Sequence, residues 1–178
     1  MDYHKINLNE IQVQKININL GKNQEQKSLN YKVTYKGEPL KIETPIVNFP
    51  FGIEYHNKKY KISAEINERS NFLKFIRAVE SKTTGQIEEI ESDRDLFFIS
   101  NLKIDYKNYS PLLTSIKIPF RYGKMETAFS KRTTEFFSSS DLQKNNKGRM
   151  VIKIQNLWIS EDDNYGILWQ AEKINILE

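Results

Sequence analysis

The sequence contains no cysteine. That excludes a disulfide framework and thiolate metal sites, and it is compatible with a reducing compartment. Histidine is nearly absent too: His4 and His56 stand far apart, and neither has a neighbour at a metal-ligand spacing such as HExxH. A zinc site therefore lacks its usual ligands. No G-x-S-x-G nucleophile turn and no phosphate-cradling G-x-x-x-x-G-K-[ST] loop occurs. No run approaches the ~20 apolar residues that span a bilayer. The opening segment MDYHKINLNE lacks the apolar stretch of a secretion signal. These absences lead us to expect an intracellular protein without a cofactor, a catalytic centre or a membrane partner.

What is present fits a single domain over residues 1–178, long enough to bury a core unaided. The abundance of Asn, Lys and Ile has the imprint of an AT-rich genome, so the basic pI of about 9.0 must be discounted before it is read as function. The distribution of charge is more informative than its sum. Residues 1–79 carry a net +5, 80–95 a net −4, 96–153 a net +7 and 154–178 a net −4. An electropositive middle block can steer a polyanion to one surface.

The clearest pattern lies at the end. Two alternating runs, GRMVIKIQNLWIS and YGILWQAEKINIL, flank the polar connector Glu161-Asp162-Asp163-Asn164. Residues two apart on a strand share a face. Met150, Ile152 and Ile154 thus oppose Val151, Lys153 and Gln155, while Ile167, Trp169 and Ala171 oppose Leu168, Gln170 and Glu172. This reads as a β-hairpin with one buried and one wet face, with Trp169 in the core. Such a hairpin needs partner strands, and a barrel would supply them.

Further strands are expected over 5–20 (one long strand with bulges, or two short ones), 31–35 and 40–42 around the turn Lys36-Gly37-Glu38-Pro39, 60–66, 96–100, 102–106 and 112–122. Pro45 and Pro50 argue against a central strand across 44–51. One amphipathic helix is expected at about 70–82, capped by Ser70 or Asn71, with Phe72, Phe75, Ile76 and Val79 forming its apolar stripe. It should break near Thr83-Thr84-Gly85. A second helical turn over 86–92 would then point Ile87 and Ile90 inward. Residues 123–148 are expected to be a mobile connection, with a short strand or turn near Phe136-Phe137.

Aromatic and basic residues interleave in the strand-like segments. Tyr31, Lys32, Tyr35 and Lys36 form one group, and Lys58, Lys59, Tyr60 and Lys61 another. Lys103, Tyr106, Lys107 and Tyr109 follow, and then Lys117, Phe120, Arg121, Tyr122 and Lys124. Cationic grooves that hold phosphates, with rings on which bases stack, bind single strands without sequence preference. A tyrosine's β propensity is the plainer explanation of any one of these residues. One catalytic pattern competes. Asp105-Tyr106-Lys107 is an acidic-x-Lys triplet of the kind used by Mg²⁺-dependent nucleases, with Asp93 or Asp95 as a second ligand.

Two stretches resemble a known family. YKGEPLKIETPIVNFPFGIEY carries a turn followed by P-L-x-I-x-T-P-x-x-x-x-P-F-G-I, and the final hairpin carries W-I-S-x-x-x-x-Y-G-I-x-W-Q. Both are similar to the single-stranded DNA-binding proteins of nucleocytoplasmic large DNA viruses, which are related to the replicative single-stranded DNA-binding proteins of podophages. The resemblance covers residues 31–66 and 149–177. Thr44-Pro45 and Pro50-Phe51-Gly52 would shape a loop, and Tyr165-Gly166 the hairpin's return. The implied fold is mainly β, an OB-fold-like Greek-key barrel with long insertions. The implied role is a coat on unpaired DNA in viral replication, repair or recombination, in the host cytoplasm or the virion, with viral replication proteins as partners. Podophage-type members end in an acidic tail, which residues 173–178 do not match.

On this reading the nucleic-acid-binding residues are Tyr35, Lys59, Tyr60, Lys61, Lys103, Tyr106, Arg121, Tyr122 and Lys124. Lys131, Arg132, Phe136 and Phe137 would close over the strand from the mobile segment. The alternatives are a non-enzymatic β-sandwich virion or interaction protein and, third, the nuclease.

Overall fold

The computed structural model describes residues 15–20, 29–105, 110–131 and 142–177. The early strands are β1 (Ile16–Leu20), β2 (Leu29–Tyr35), β3 (Glu38–Pro39), β4 (Lys41–Glu43), β5 (Val47–Phe49), β6 (Ile53–His56) and β7 (Lys59–Glu65). Helix α1 (Asn71–Ile90) follows. Then come β8 (Phe97–Phe98), β9 (Leu102–Asp105), β10 (Ser110–Ile118), β11 (Phe120–Arg121), β12 (Lys124–Met125), β13 (Ala128–Lys131), β14 (Asn146–Ile159) and β15 (Asn164–Ile176).

Five strands close on themselves in the order β14–β5–β7–β10–β15, and the β14–β15 hairpin completes the ring. Only β10 and β15 pair in parallel within it. Closure removes the edges that an open sheet would expose. It also sets aside the sandwich alternative, because the main sheet curls onto itself.

The terminal hairpin has the faces that alternation predicts. Met150, Ile152 and Ile154 are buried on β14, and Ile167, Trp169 and Ala171 on β15, while Trp158 is only half-buried. The apolar phase on β14 then slips to Leu157 and Ile159, because the register shifts between Ile154 and Asn156. A bulge inserts one residue and so swaps the faces beyond it. The return is made at Ser160–Asn164, not at Tyr165-Gly166. Ser160 N–H donates to the Asn164 carbonyl at 2.8 Å, and Asp163 takes a left-handed φ of 59°. Gly166 serves packing instead. A Cβ there would lie 3.0 Å from the Ile99 carbonyl oxygen and 3.1 Å from the Trp158 ring.

β14 is long because it serves two borders. Along one side it pairs with β15. Along the other it pairs in turn with β5, β4 and β2. This explains why the segment between Pro45 and Pro50 contains a strand after all. β5 is three residues long, fits between the two prolines, and is held by β14 on one side and β7 on the other. Thr44 reinforces the junction: its N–H donates to the Met150 carbonyl at 2.8 Å, and its hydroxyl accepts from Met150 N–H at 2.9 Å.

Helix α1 begins where expected. The Ser70 hydroxyl accepts from Leu73 N–H at 3.2 Å, and Phe72, Phe75, Ile76 and Val79 are buried. It does not break at Thr83-Thr84-Gly85 but runs on to Ile90. The Thr83 and Thr84 hydroxyls donate back to the Val79 and Glu80 carbonyls at 2.8 and 2.9 Å. Ile87 is fully buried in the core, which outweighs the ~1 kcal/mol helix cost of Gly85. Ile90, expected inward, is 48% exposed. The Gln86 amide reaches the Ile16 carbonyl at 3.2 Å and ties the helix to β1.

The expected mobile connection is partly regular. β12, β13 and the first residues of β14 fall within 123–148, and β13 adds to the free side of β15 in parallel. Thr127 is buried and donates to the Ala171 carbonyl at 2.9 Å. The expected strand or turn at Phe136-Phe137 lies outside the described residues, as does the expected strand before Ile16 except for Lys15.

Candidate nucleic-acid interface

Two short hairpins project at one end of the barrel. Residues Asn57 and Lys58 join β6 to β7 with φ of 49° and 59°, and Tyr122 and Gly123 join β11 to β12 with φ of 49° and 76°. Left-handed backbone at both central residues matches the strand twist and gives tight two-residue turns. Tyr122 therefore stands at a tip, 100% exposed, flanked by the paired Arg121 and Lys124.

Register fixes what lies beneath. Tyr55 is directly opposite Tyr60, with ring centroids 4.7 Å apart, and Tyr60 meets Phe120 at 5.1 Å. Tyr60 shares its face with the buried Ile62 and Ala64, so this ridge is the barrel's apolar interior continued outward at the rim. Tyr55 and Phe120 are 62% and 46% exposed. Rings this close and tilted leave no gap for a base between them. Bases can stack only on the free faces at the ends of the ridge and on Tyr122.

The opposite face of β7 carries Lys59 and Lys61. Lys61 pairs with Lys117 on β10, Lys117 with Gln170 on β15, Gln170 with Lys153 on β14, and Lys153 with Lys41 on β4. Partners directly opposite share a face, so a row of lysines crosses the outer wall. Its far end is neutralised, since Glu172 accepts from Lys41 at 3.0 Å and from Lys153 at 2.7 Å. Burial pushes the Glu172 carboxyl up, but those two lysines outweigh it and hold it below the usual carboxylate value.

The near end keeps its charge. Lys59, Lys61, Lys117, Arg121 and Lys124 gather there against Glu54, which pairs with Lys61, and Glu126, whose carboxylate lies 3.6 Å from Arg121 Nε. Burial and the positive charges of Lys59 and Arg121 lower the Lys117 ammonium from its ordinary value, while Glu126 acts the other way. An anion at this spot would relieve that repulsion.

A barrel of this build has a solved counterpart. The chain is similar to the crystal structure of gp2.5, a single-stranded DNA-binding protein encoded by bacteriophage T7. The TM-score is 0.55 at 11% identity, over 79% of this chain and 87% of that one. This chain has an OB-type fold. No family model and no curated protein matches it.

On this OB barrel, six of the residues expected from sequence converge: Lys59, Tyr60, Lys61, Arg121, Tyr122 and Lys124. Tyr35 does not. It is 7% exposed because the alternation of β2 turns Tyr31, Val33 and Tyr35 into the core. Lys103 lies opposite Leu112, at the other end of β10, where its charge acts on the buried Glu80. Lys131 lies opposite Ile176, roughly 20 Å along β15 from Gln170. Tyr106, Arg132, Phe136 and Phe137 lie outside the described residues, as does Lys107 of the nuclease triplet. Among the described residues no cluster of three carboxylate or imidazole groups could hold a metal ion.

Sequence reasoning placed Lys117 and Phe120 in an interleaved segment without singling them out, and it missed Tyr55. The missed signal was a two-residue Asn-Lys turn, which sets Tyr55 opposite Tyr60.

Proposed function

We propose that this protein binds single-stranded DNA through the rim where the β6–β7 and β11–β12 hairpins project, as a coat and not as a catalyst. The observation that carries this reading is the coincidence, at one end of an OB barrel, of five clustered cations with exposed rings on two short hairpins. Lys59, Lys61, Lys117, Arg121 and Lys124 would neutralise phosphates and release counterions. Tyr55, Phe120 and Tyr122 would stack unpaired bases, each worth roughly 1–3 kcal/mol. Duplex DNA offers the same phosphates but hides its base faces, so single strands should be preferred. The likeness to the phage protein supports this reading at the level of fold. The motif resemblance supports a setting in viral DNA replication, repair or recombination in the host cytoplasm, with viral replication proteins as further partners.

A fluorescence titration with oligo-dT and with duplex of equal length tests the proposal. Tighter binding of the single strand supports it. Equal affinity for both, or none for either, would sink it. Mg²⁺-dependent shortening of the probe would favour the nuclease alternative.

A further inference from the structure

Beside the aromatic ridge, the β11–β12 arm and the barrel wall enclose a cleft of about 320 Å³, near the lower end of the ~300–1,000 Å³ typical of ligand pockets. Its floor holds Lys117, Gln155 and Gln170, and its arm side holds Phe120, Arg121 and Glu126. Phe120 offers a stacking surface, and the polar groups offer an edge to read.

The polarity of that edge can be worked out. Lys117 Nζ lies 3.3 Å from Gln155 Oε1. An ammonium has donors only, so it fixes the amide with its oxygen toward Lys117 and its NH₂ away from it. Arg121 also has donors only. Lys153, at the cleft's far side, is already held by Glu172. A planar group entering the cleft therefore meets an array of donors from Lys117, Gln155 and Arg121. Among the described residues that line it, Glu126 carries the one anionic acceptor, and Gln170 adds a neutral amide.

Nucleobases differ in what they would present to such an array. Guanine offers the acceptor O6 and thymine O4 where adenine and cytosine present the amino donors N6–H₂ and N4–H₂; N7 is common to both purines and does not separate them. A carboxylate accepts from the ring N–H of guanine or thymine and equally from an amino group, so Glu126 is neutral between the two classes and the preference rests on the donors. We infer that this cleft seats one unpaired base and favours keto bases, guanine and thymine, over adenine and cytosine. The inference deepens the single-strand reading and rests on it, since a paired base hides its Watson–Crick edge.

The test compares d(GT)₁₀ with d(AC)₁₀ by fluorescence anisotropy in lithium salt, which does not support guanine quartets. Both alternate purine with pyrimidine, so length, charge and stacking surface are matched. The keto strand should bind about fivefold or more tightly, the lower end of what one well-placed base contact discriminates. Gln155→Leu, at an exposed position, removes one of the three donors and should lower the ratio measurably while leaving the melting temperature unchanged. Equal wild-type affinities, tighter binding of the amino strand, or an undiminished ratio in Gln155→Leu would overturn the base preference alone. Failure of both strands to bind would overturn the single-strand reading with it.

Discussion

Salt dependence offers the sharpest check on the rim. Each phosphate neutralised on a single strand contributes about −0.7 to the slope of log K against log salt. The five clustered cations, Lys59, Lys61, Lys117, Arg121 and Lys124, set an upper slope of about −3.5. Affinity should then fall about a hundredfold between 50 and 200 mM salt. Replacing Lys61 and Lys124 with Gln together should reduce the slope to about −2.1 and the loss over the same range to about twentyfold. The control is built into the fold. Lys103 and Lys131 are also exposed lysines, but they lie on β9 and β13 at the far ends of their partner strands. Their double Gln variant removes the same net charge and should leave the slope near that of the wild type. Anisotropy titrations with oligo-dT at four salt concentrations measure all three proteins. If the Lys103/Lys131 pair shifts the slope as much as the Lys61/Lys124 pair, binding follows net charge alone and the rim is not the site.

Four other perturbations separate binding from folding. Tyr122→Ala should leave denaturant stability within about 0.5 kcal/mol of wild type yet weaken oligo-dT binding by about 1–3 kcal/mol. Tyr35→Ala, in the core, should cost about 3–5 kcal/mol of stability in urea titration with no binding defect of its own in the protein that remains folded. Gly148→Ala should be strongly destabilising by the same assay, because its Cβ would stand 2.4 Å from the Asn175 backbone oxygen. For Glu172 the sign follows from its lowered pKa. Its ionised form stabilises the fold above the ordinary value of 4.5, and that contribution is lost as pH falls through the lower folded value. Thermal melts of Glu172→Gln should show a deficit at pH 7 that closes below pH 4.5, and a constant deficit would refute the lysine bridge.

Where one face of an element is wet and the other dry, the sequence was readable. The terminal hairpin and the Phe72–Val79 stripe announce themselves because burial alone sets their periods. The misses arise where tertiary contacts decide. β5 exists only because β14 and β7 flank it, so its prolines mislead. Gly85 stays helical because Ile87 has a core to enter. Tyr35 and Tyr60 both lie on the inward face of their strands, and Tyr60 stays half-buried because it sits at the rim, a position that only the tertiary fold assigns. Tyr55 escaped notice because its turn, Asn57-Lys58, adopts a left-handed geometry without the glycine that normally signals it.

Tyr122 holds a φ of 49°, a conformation that costs an L-residue roughly 1–2 kcal/mol and a glycine almost nothing. A chain shaped only for durability would put glycine in that position, next to Gly123. On the proposed single-strand reading, a bulky phenol kept there sets the arm's fitness for contact against its ease of folding.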